Sequence, residues 1–210
     1  MKRRTFCTTS LTALGLGAMG TRSQAQTKPI EGKHYRRLAP PQPVSNDKGE
    51  VLEFFWYGCP ACYRTEPSVK QWLARKPAQV SFKRSAQIIH TISRSHQRMF
   101  FTLDQLGLSD SLHTPVFDAV QKDSSALQEL PEILALMGKL GVDTAKFGQV
   151  YQSFAVASRC RQADQMMSTY GLNSVPSFAV NGRYVTSPSM AGGEAACMAV
   201  VDYLLSLPTA

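Results

Sequence analysis

The stretch that most constrains the fold is an apolar run, Val51 to Tyr57, followed by Cys59-Pro60-Ala61-Cys62. A run of this length with a single charged residue, Glu53, is typical of a strand covered on both faces. Pro60 suits the first turn of a helix, because the N–H that proline lacks has no partner there. The pattern therefore predicts a buried strand that leads directly into a helix, with two cysteines at the junction.

The rest of the chain predicts an α/β architecture in which helices interrupt a sheet. The cysteine helix should end near Lys76, and Asn181-Gly182, a dipeptide that favours tight two-residue turns, predicts a hairpin. The predicted elements are strands at 34–38, 51–57, 80–89, 177–180 and 183–186, helical apolar spacing over 93–170, and a last helix at 195–207. This order, β-β-α-β, helices, β-β-α, predicts a thioredoxin-like fold with an inserted helical domain.

The helical part offers two further boundary predictions. Thr114 and Pro115 predict the cap and first residue of one helix, and Phe147 is predicted to begin one long final helix. The predicted domains are a signal peptide at 1–25, a discontinuous thioredoxin-like domain at 26–91 and 171–210, and the inserted helical domain at 92–170, whose last helix leads back to the sheet.

The first 25 residues predict an export signal. Lys2, Arg3 and Arg4 are followed by an apolar stretch and by the cleavage pattern Ser23-Gln24-Ala25. A disordered basic tail is the alternative, and both Sec and twin-arginine export stay open. Cleavage would remove four basic residues and no acid from a formal charge of +8, leaving +4. The remaining basic residues are scattered, so no nucleic-acid partner is predicted, and no later apolar run approaches the ~18 residues that span a membrane.

Two cysteines at this spacing can bind a metal, close a structural disulfide or exchange a disulfide. A structural zinc site needs four ligands, and the four histidines are dispersed along the chain. A structural disulfide stabilises most when it closes a long loop, and this loop is short. Exchange chemistry is therefore the favoured interpretation, and no metal is predicted.

The position of each cysteine predicts its role. Cys59 at a helix N-terminus meets unpaired N–H groups and the positive end of the helix dipole, which favour the thiolate. Cys62, one turn further in, should be more buried and act as the resolving thiol. Glu53 has two open interpretations, because a carboxylate in an apolar strand needs a partner or a task. It could relay protons to Cys62, or it could be a strand-edge carboxylate paired with Arg84.

Val175-Pro176 opens the strand that follows the helices, and such prolines are often cis, although trans is the commoner form of any X-Pro bond. In combination, several motifs resemble the DsbA family of exported thiol:disulfide oxidoreductases. They are 51–55 (VLEFF), 59–63 (CPACY), Ser153-Phe154, and Val175-Pro176 followed by 178–184 (FAVNGRY). The resemblance extends over essentially the whole chain after the predicted signal peptide.

This resemblance implies specific site residues. Pro176 is expected to be cis and packed against the Cys59–Cys62 disulfide, and Val175 is expected to offer its backbone to an extended substrate peptide. Cys59 is expected to form the mixed disulfide, with Glu53 as the buried acid of the family. The dipeptide between the cysteines, Pro60-Ala61, departs from the histidine-containing version of many members. The alanine side chain gives the thiolate no charge and no hydrogen bond, so the resemblance alone does not fix the oxidising power.

Four other residues have less specific predictions. Cys160 and Cys197 could form a second disulfide, but buried free thiols are favoured because the fold should place their helices on opposite faces of the sheet. Arg84 stands where some members of the family have lysine, and unlike lysine it stays charged. His96 is predicted to be solvated or hydrogen-bonded rather than catalytic.

The predicted function is that of a periplasmic protein disulfide oxidoreductase, a dithiol oxidase that donates the Cys59–Cys62 disulfide to newly exported polypeptides. The resemblance also implies that a quinone-linked membrane partner like DsbB reoxidises the pair. The alternatives are an isomerase or reductase with a less oxidising pair and, in another class, a peptide-binding chaperone that uses the groove beside Pro176. No cofactor is predicted, and a monomer is expected.

Overall fold

The computed structural model describes residues 28–91, 93–123 and 126–208. The predicted signal peptide, 1–25, lies outside these residues. Within them, no helix is both long and apolar enough to cross a membrane.

A five-stranded sheet carries the fold, and its central strand is the predicted apolar run. In spatial order the strands are β1 (Arg36–Arg37), β5 (Tyr184–Thr186), β4 (Ser177–Val180), β2 (Glu50–Phe55) and β3 (Ser81–Ala86). β2 is parallel to β3 and antiparallel to β4, while β4 pairs antiparallel with β5, as does β1. All six residues of β2 are buried, as expected of a strand with neighbours on both edges and cover on both faces.

Eight helices surround the sheet in the described part of the chain, and five of them intervene between β3 and β4. They are α1 (Pro60–Arg75), α2 (Ser93–Gln105), α3 (Ser109–Lys122), α4 (Leu130–Lys139), α5 (Thr144–Tyr151), α6 (Phe154–Thr169), α7 (Pro188–Ala191) and α8 (Glu194–Leu205). The order matches the predicted succession of elements, with α7 as a short addition that the sequence did not suggest.

The side chains of β2 alternate between two layers. Val51 packs in a cluster with Trp72 of α1 and Val201 of α8. Phe54 points the other way and packs against Tyr170 at the end of α6, with their ring centroids 5.1 Å apart. The sheet is therefore covered by α1 and α8 on one face and by the end of α6 on the other.

Cys160 and Cys197 are both free thiols, as predicted, but only Cys197 is buried, whereas Cys160 is half-buried. Cys197 is fully buried in the cluster beneath α8, whereas Cys160 of α6 packs against the separate cluster formed by the inserted helices. Because the two side chains belong to different hydrophobic clusters, the alternative of a second disulfide is not realised in this structure.

The hairpin prediction is confirmed. Asn181 and Gly182 both have positive φ, 53° and 61°, as a tight primed turn requires. A side chain at Gly182 would be impossible, because a Cβ there would lie 2.0 Å from the carbonyl oxygen of Gln42. The side chain of Asn181 also accepts a hydrogen bond from the backbone N–H of Glu50, at 2.9 Å, which ties the turn to the start of β2.

Two helix boundaries were predicted wrongly. α3 begins at Ser109, so Thr114 and Pro115 lie inside it. The carbonyl group that Pro115 leaves without a helical partner belongs to Ser111, which is exposed to water, and this lowers the cost of a proline in the helix.

The predicted long helix from Phe147 is two helices. α5 ends at Tyr151 and α6 starts at Phe154, because Ser153 adopts an extended backbone and its hydroxyl accepts a hydrogen bond from the N–H of Val156, at 3.2 Å. This capping arrangement interrupts an apolar spacing that is otherwise continuous. The final helix also starts and ends slightly earlier than predicted, at Glu194 and Leu205.

Candidate active site

The turn after β2 places Cys59 beyond the C-terminal end of this central strand. The indole ring of Trp56 lies directly over Gly58, where an added Cβ would come within 2.2 Å of it, so only glycine fits. The backbone N–H of Cys59 donates to the carbonyl oxygen of Trp56 at 3.0 Å. A buried strand and a tight turn therefore fix the position from which α1 starts.

Cys59 and Cys62 lie in different environments one helical turn apart. Cys59 is the N-cap of α1, with an extended backbone, and its sulfur accepts a hydrogen bond from the backbone N–H of Cys62 at 3.2 Å. Pro60 occupies the first position of the helix, as predicted. Cys59 retains an exposed edge of 8%, whereas Cys62 is completely enclosed. Both are free thiols in this structure.

These environments separate the acidities of the two thiols. A hydrogen bond from Cys62 and the backbone N–H groups of Cys62 and Ala61, helped by the charge of Arg64, lower the pKa of Cys59 to about 7 against the opposing effect of burial. Burial raises the pKa of Cys62 well above its ordinary value. Ala61 thus stabilises the thiolate through its backbone, although its side chain offers nothing. The thiol that is ionised near neutral pH is also the one that is accessible.

We expect the alkylation rate of Cys59 in the reduced protein to follow a single titration with a midpoint of about 7. A free thiol has a pKa of roughly 8.5, so the lowered pKa of Cys59 stabilises the folded reduced protein fully at pH values above about 8.5. This stabilisation is lost as the pH falls through about 7. Mass spectrometry after timed alkylation, from about pH 5 to about pH 9, measures the midpoint. Arg64→Gln should move it upward, whereas a wild-type midpoint near the free value would contradict the acidity inferred from the N-cap.

The segment before β4 closes the other side of Cys59. The Val175–Pro176 peptide bond is cis, as the family resemblance implied. The Cys59 thiol lies 3.6 Å from the carbonyl oxygen of Val175 and can donate a weak hydrogen bond to it. Strand pairing explains the approach, because Phe54 at the end of β2 lies opposite Ser177 at the start of β4.

Glu53 is fully buried on β2 and forms an ion pair with Arg84, its neighbour on β3. Arg84 Nε donates to Glu53 Oε2 at 2.9 Å, and the two residues are in direct register. β2 is an interior strand, so the prediction of a strand-edge carboxylate was wrong while the predicted partner was right. The other carboxylate oxygen, Oε1, has no hydrogen-bond partner among the described residues.

Opposing effects set the pKa of Glu53. Burial, assisted by the charge of Glu66, raises the pKa of Glu53 to about 7, although Arg84 acts in the opposite direction. The charge of Glu53 in turn contributes to raising the pKa of Cys62, so the two groups interact electrostatically. A carboxyl group that titrates near neutral pH and interacts electrostatically with a buried thiol has the property that a proton relay needs. That role stays a prediction.

Sequence reasoning missed the polar groups that continue from Glu53. Arg84 also contacts Glu66 of α1, at 3.4 Å, and Glu66 Oε1 accepts from His113 Nε2 at 3.0 Å. His113 Nδ1 lies 3.2 Å from the hydroxyl of Tyr57. We call these five residues, from Glu53 to Tyr57, the buried network, and they connect four segments of the chain: β2 with the turn after it, α1, β3 and α3. Glu53 and Arg84 were predicted as a pair, and the sequence signal for the rest of the network was Glu66, four residues after Cys62 and therefore on the same buried face of α1.

His96 is hydrogen-bonded, which is one of the two states predicted for it. Trp56 Nε1 donates to its Nδ1 at 3.0 Å, so Nε2 carries the proton and donates to the carbonyl oxygen of Ala126 at 3.1 Å. Burial lowers the pKa of His96. The residue therefore anchors Trp56 behind the active-site turn. Among the described residues, no group of three or more potential ligands is placed to hold a metal ion.

Comparison with known proteins adds to this geometry. A family profile described as a DSBA-like thioredoxin domain matches residues 50–204. The thiol:disulfide interchange protein DsbA of Pseudomonas aeruginosa is 37% identical over 175 residues, which cover 83% of each chain, and that of Bordetella pertussis is 35% identical over 207 residues, which cover 98% of each. The crystal structure of Pseudomonas aeruginosa DsbA superposes with a TM-score of 0.80 at 36% identity, covering 84% of this chain and 93% of that one. The predicted fold class is thereby confirmed, while the predicted domain boundaries stay a prediction.

Proposed function

The chain belongs to the DsbA family of thioredoxin-like thiol:disulfide oxidoreductases, and from this premise we propose that it donates a Cys59–Cys62 disulfide to newly exported polypeptides in the periplasm. The observation that carries the proposal is the difference between the two thiols. Cys59 keeps an exposed edge and is ionised near neutral pH, whereas Cys62 is enclosed and far less acidic. Only Cys59 is therefore suited to exchange with a bulky client.

The proposed transfer has two steps. A client thiolate attacks the sulfur of Cys59, the Cys59–Cys62 bond breaks, and Cys62 receives the electron pair as a thiolate that takes up a proton in its buried position. A second client thiolate then attacks the client sulfur of the mixed disulfide, and Cys59 departs as a thiolate. The client loses two electrons and gains a disulfide. A leaving thiol departs faster when its pKa is lower, which favours the release of Cys59.

We infer that Glu53 supplies the proton that Cys62 takes up. Its pKa of about 7 means that a fraction of the molecules carries this proton at neutral pH, and the unpartnered Oε1 is the available site for it. Val175, whose carbonyl oxygen lies beside the Cys59 sulfur, is proposed to pair with the client backbone in an extended conformation. A DsbB-like quinone-linked membrane protein is the proposed acceptor of the two electrons, and a monomer is the proposed working unit.

The reduction potential tests the direction of transfer. We expect a value above about −180 mV, at the oxidising end of the range for such proteins, in glutathione buffers. In a protein that starts at residue 26 and therefore lacks Cys7, replacing Cys160 and Cys197 by alanine leaves only the Cys59–Cys62 pair to report. A thiol with a pKa of about 7 is only half ionised at neutral pH, so the acidity of Cys59 alone stabilises the reduced form only modestly relative to the disulfide. A value near or below about −270 mV would replace the donor proposal by a reductant or an isomerase.

A further inference from the structure

A groove of about 650 Å³ lies on the helical side of the active-site turn. Arg94 and Arg98 line one wall, four residues apart on α2 and therefore on one face of the helix, and His90 precedes them in the turn before α2. Glu129 and Tyr151, from two other segments of the chain, also line the groove. We refer to these five residues as the α2 groove.

The α2 groove carries a positive charge that is held in place. Arg98 Nε donates to the carbonyl oxygen of Tyr151 at 2.6 Å, and its guanidinium group lies 5.1 Å from the centroid of the Tyr151 ring. The first turn of α2 contains no acidic residue, so the positive end of the helix dipole adds to the charge of Arg94. Glu129 is the single acidic residue of the lining, and no ion pair involving either arginine occurs in the described chain.

The groove starts close to the reactive cysteine. The His90 ring contacts the Trp56 ring, with centroids 5.6 Å apart. Trp56 in turn covers Gly58 and accepts the hydrogen bond from Cys59 N–H. Trp56 and His90 therefore connect the reactive cysteine to the α2 groove, and Val175 also lies beside Cys59.

We propose that the α2 groove binds acidic side chains of the client polypeptide, close in sequence to the cysteine that reacts with Cys59. This inference rests on the proposed function and specifies a substrate preference for it. Guanidinium groups pair with carboxylates through two parallel hydrogen bonds, and Arg98 is already oriented by Tyr151, so less side-chain freedom is lost on binding. The two arginines act as positioning residues for the client, and Cys59 carries the chemistry.

The test uses three dithiol peptides that differ only in three residues beside one cysteine, which are all Glu, all Gln or all Lys. Rate constants for their oxidation by the oxidised protein are divided by the rate of each peptide with an uncharged small disulfide, bis(2-hydroxyethyl) disulfide, which removes differences in thiol reactivity without adding a charge effect. At low salt we expect the Glu peptide to exceed the Gln peptide by about two- to thirtyfold, as two exposed charge pairs allow, and the Lys peptide to be slowest. Salt should reduce this ratio.

Variants locate the effect. Arg94→Gln/Arg98→Gln should bring the Glu-to-Gln ratio close to one, and Arg94→Glu, which alters only an exposed side chain, should bring it below one. Lys33→Gln/Lys48→Gln removes two exposed charges outside the groove and should preserve the ratio. A wild-type ratio of one, or equal losses in both double variants, would overturn the groove assignment. Failure of the wild type to oxidise any of the peptides would instead reject the proposed function, and the groove assignment with it.

Discussion

Replacement of Cys59 by serine should reduce disulfide transfer to the uncatalysed rate while leaving the fold intact. The serine hydroxyl can cap α1 as the thiol does, because both accept the N–H of Cys62, but it forms no disulfide. Oxidation of a reduced, unfolded client and its recovery of activity measure the loss. Cys160→Ser is the matched control, since it removes a partly buried free thiol from α6, and it should retain the full rate.

The complementary change, Cys62→Ser, should convert the protein into a trap. The Cys59 thiolate still attacks a client disulfide and releases one client thiolate, but no second thiol is present to resolve the mixed disulfide. A covalent adduct that reductant releases should therefore accumulate, and mass spectrometry detects it.

The Cys59→Ser variant also tests the chaperone alternative. If it assisted client folding as well as the wild type does, the chaperone alternative would replace the enzyme.

The parts of the fold that follow from short stretches of sequence were predictable. β2, the start of α1 and the hairpin depend on neighbouring residues, such as the apolar run before Cys59 and the Asn181-Gly182 pair. The same is true of the difference between Cys59 and Cys62, because helix position alone sets which thiol is capped by N–H groups and which is enclosed. These local features are retained in the folded protein because the packing of the core favours the same conformations as the local sequence does.

The errors arose where longer-range packing outweighed a local signal. Pro115 alone predicts a helix start, yet His113, two residues earlier, is buried against Tyr57 and Glu66, which favours a helix that already includes it. Arg84 was correctly predicted as the partner of Glu53, but the predicted edge position was wrong, because β4 pairs with the other side of β2 and no spacing within β2 indicates that pairing. The α2 groove likewise joins residues from three separate segments, so neither its charge nor its position beside Trp56 follows from the sequence alone.

The buried network predicts the largest effect on stability. Arg84→Met should lower the free energy of unfolding by about 3–5 kcal/mol at neutral pH, because it leaves two buried carboxylates, Glu53 and Glu66, without their shared cation. Denaturant unfolding of the reduced protein measures the change. Lys83→Met is the matched control on the neighbouring residue. Its partner Glu50 keeps hydrogen bonds from Ser45, and the Lys83 side chain is half exposed, so its loss should be about 1 kcal/mol or less.

The pH dependence separates lost charge pairing from lost packing. In the wild type, burial pushes the pKa of Glu66 upward, but the His113 hydrogen bond and the charge of Arg84 bring it below its ordinary value. Without Arg84, both carboxyl groups should have folded-state pKa values above those of the unfolded chain, so the folded variant binds more protons and its stability falls as the pH rises from about 4.3. The difference in unfolding free energy between the wild type and Arg84→Met should therefore be largest near pH 8 and decrease towards pH 5. An equal deficit at both ends would assign the loss to the missing side-chain volume of Arg84 and would show that the ion pairs add little.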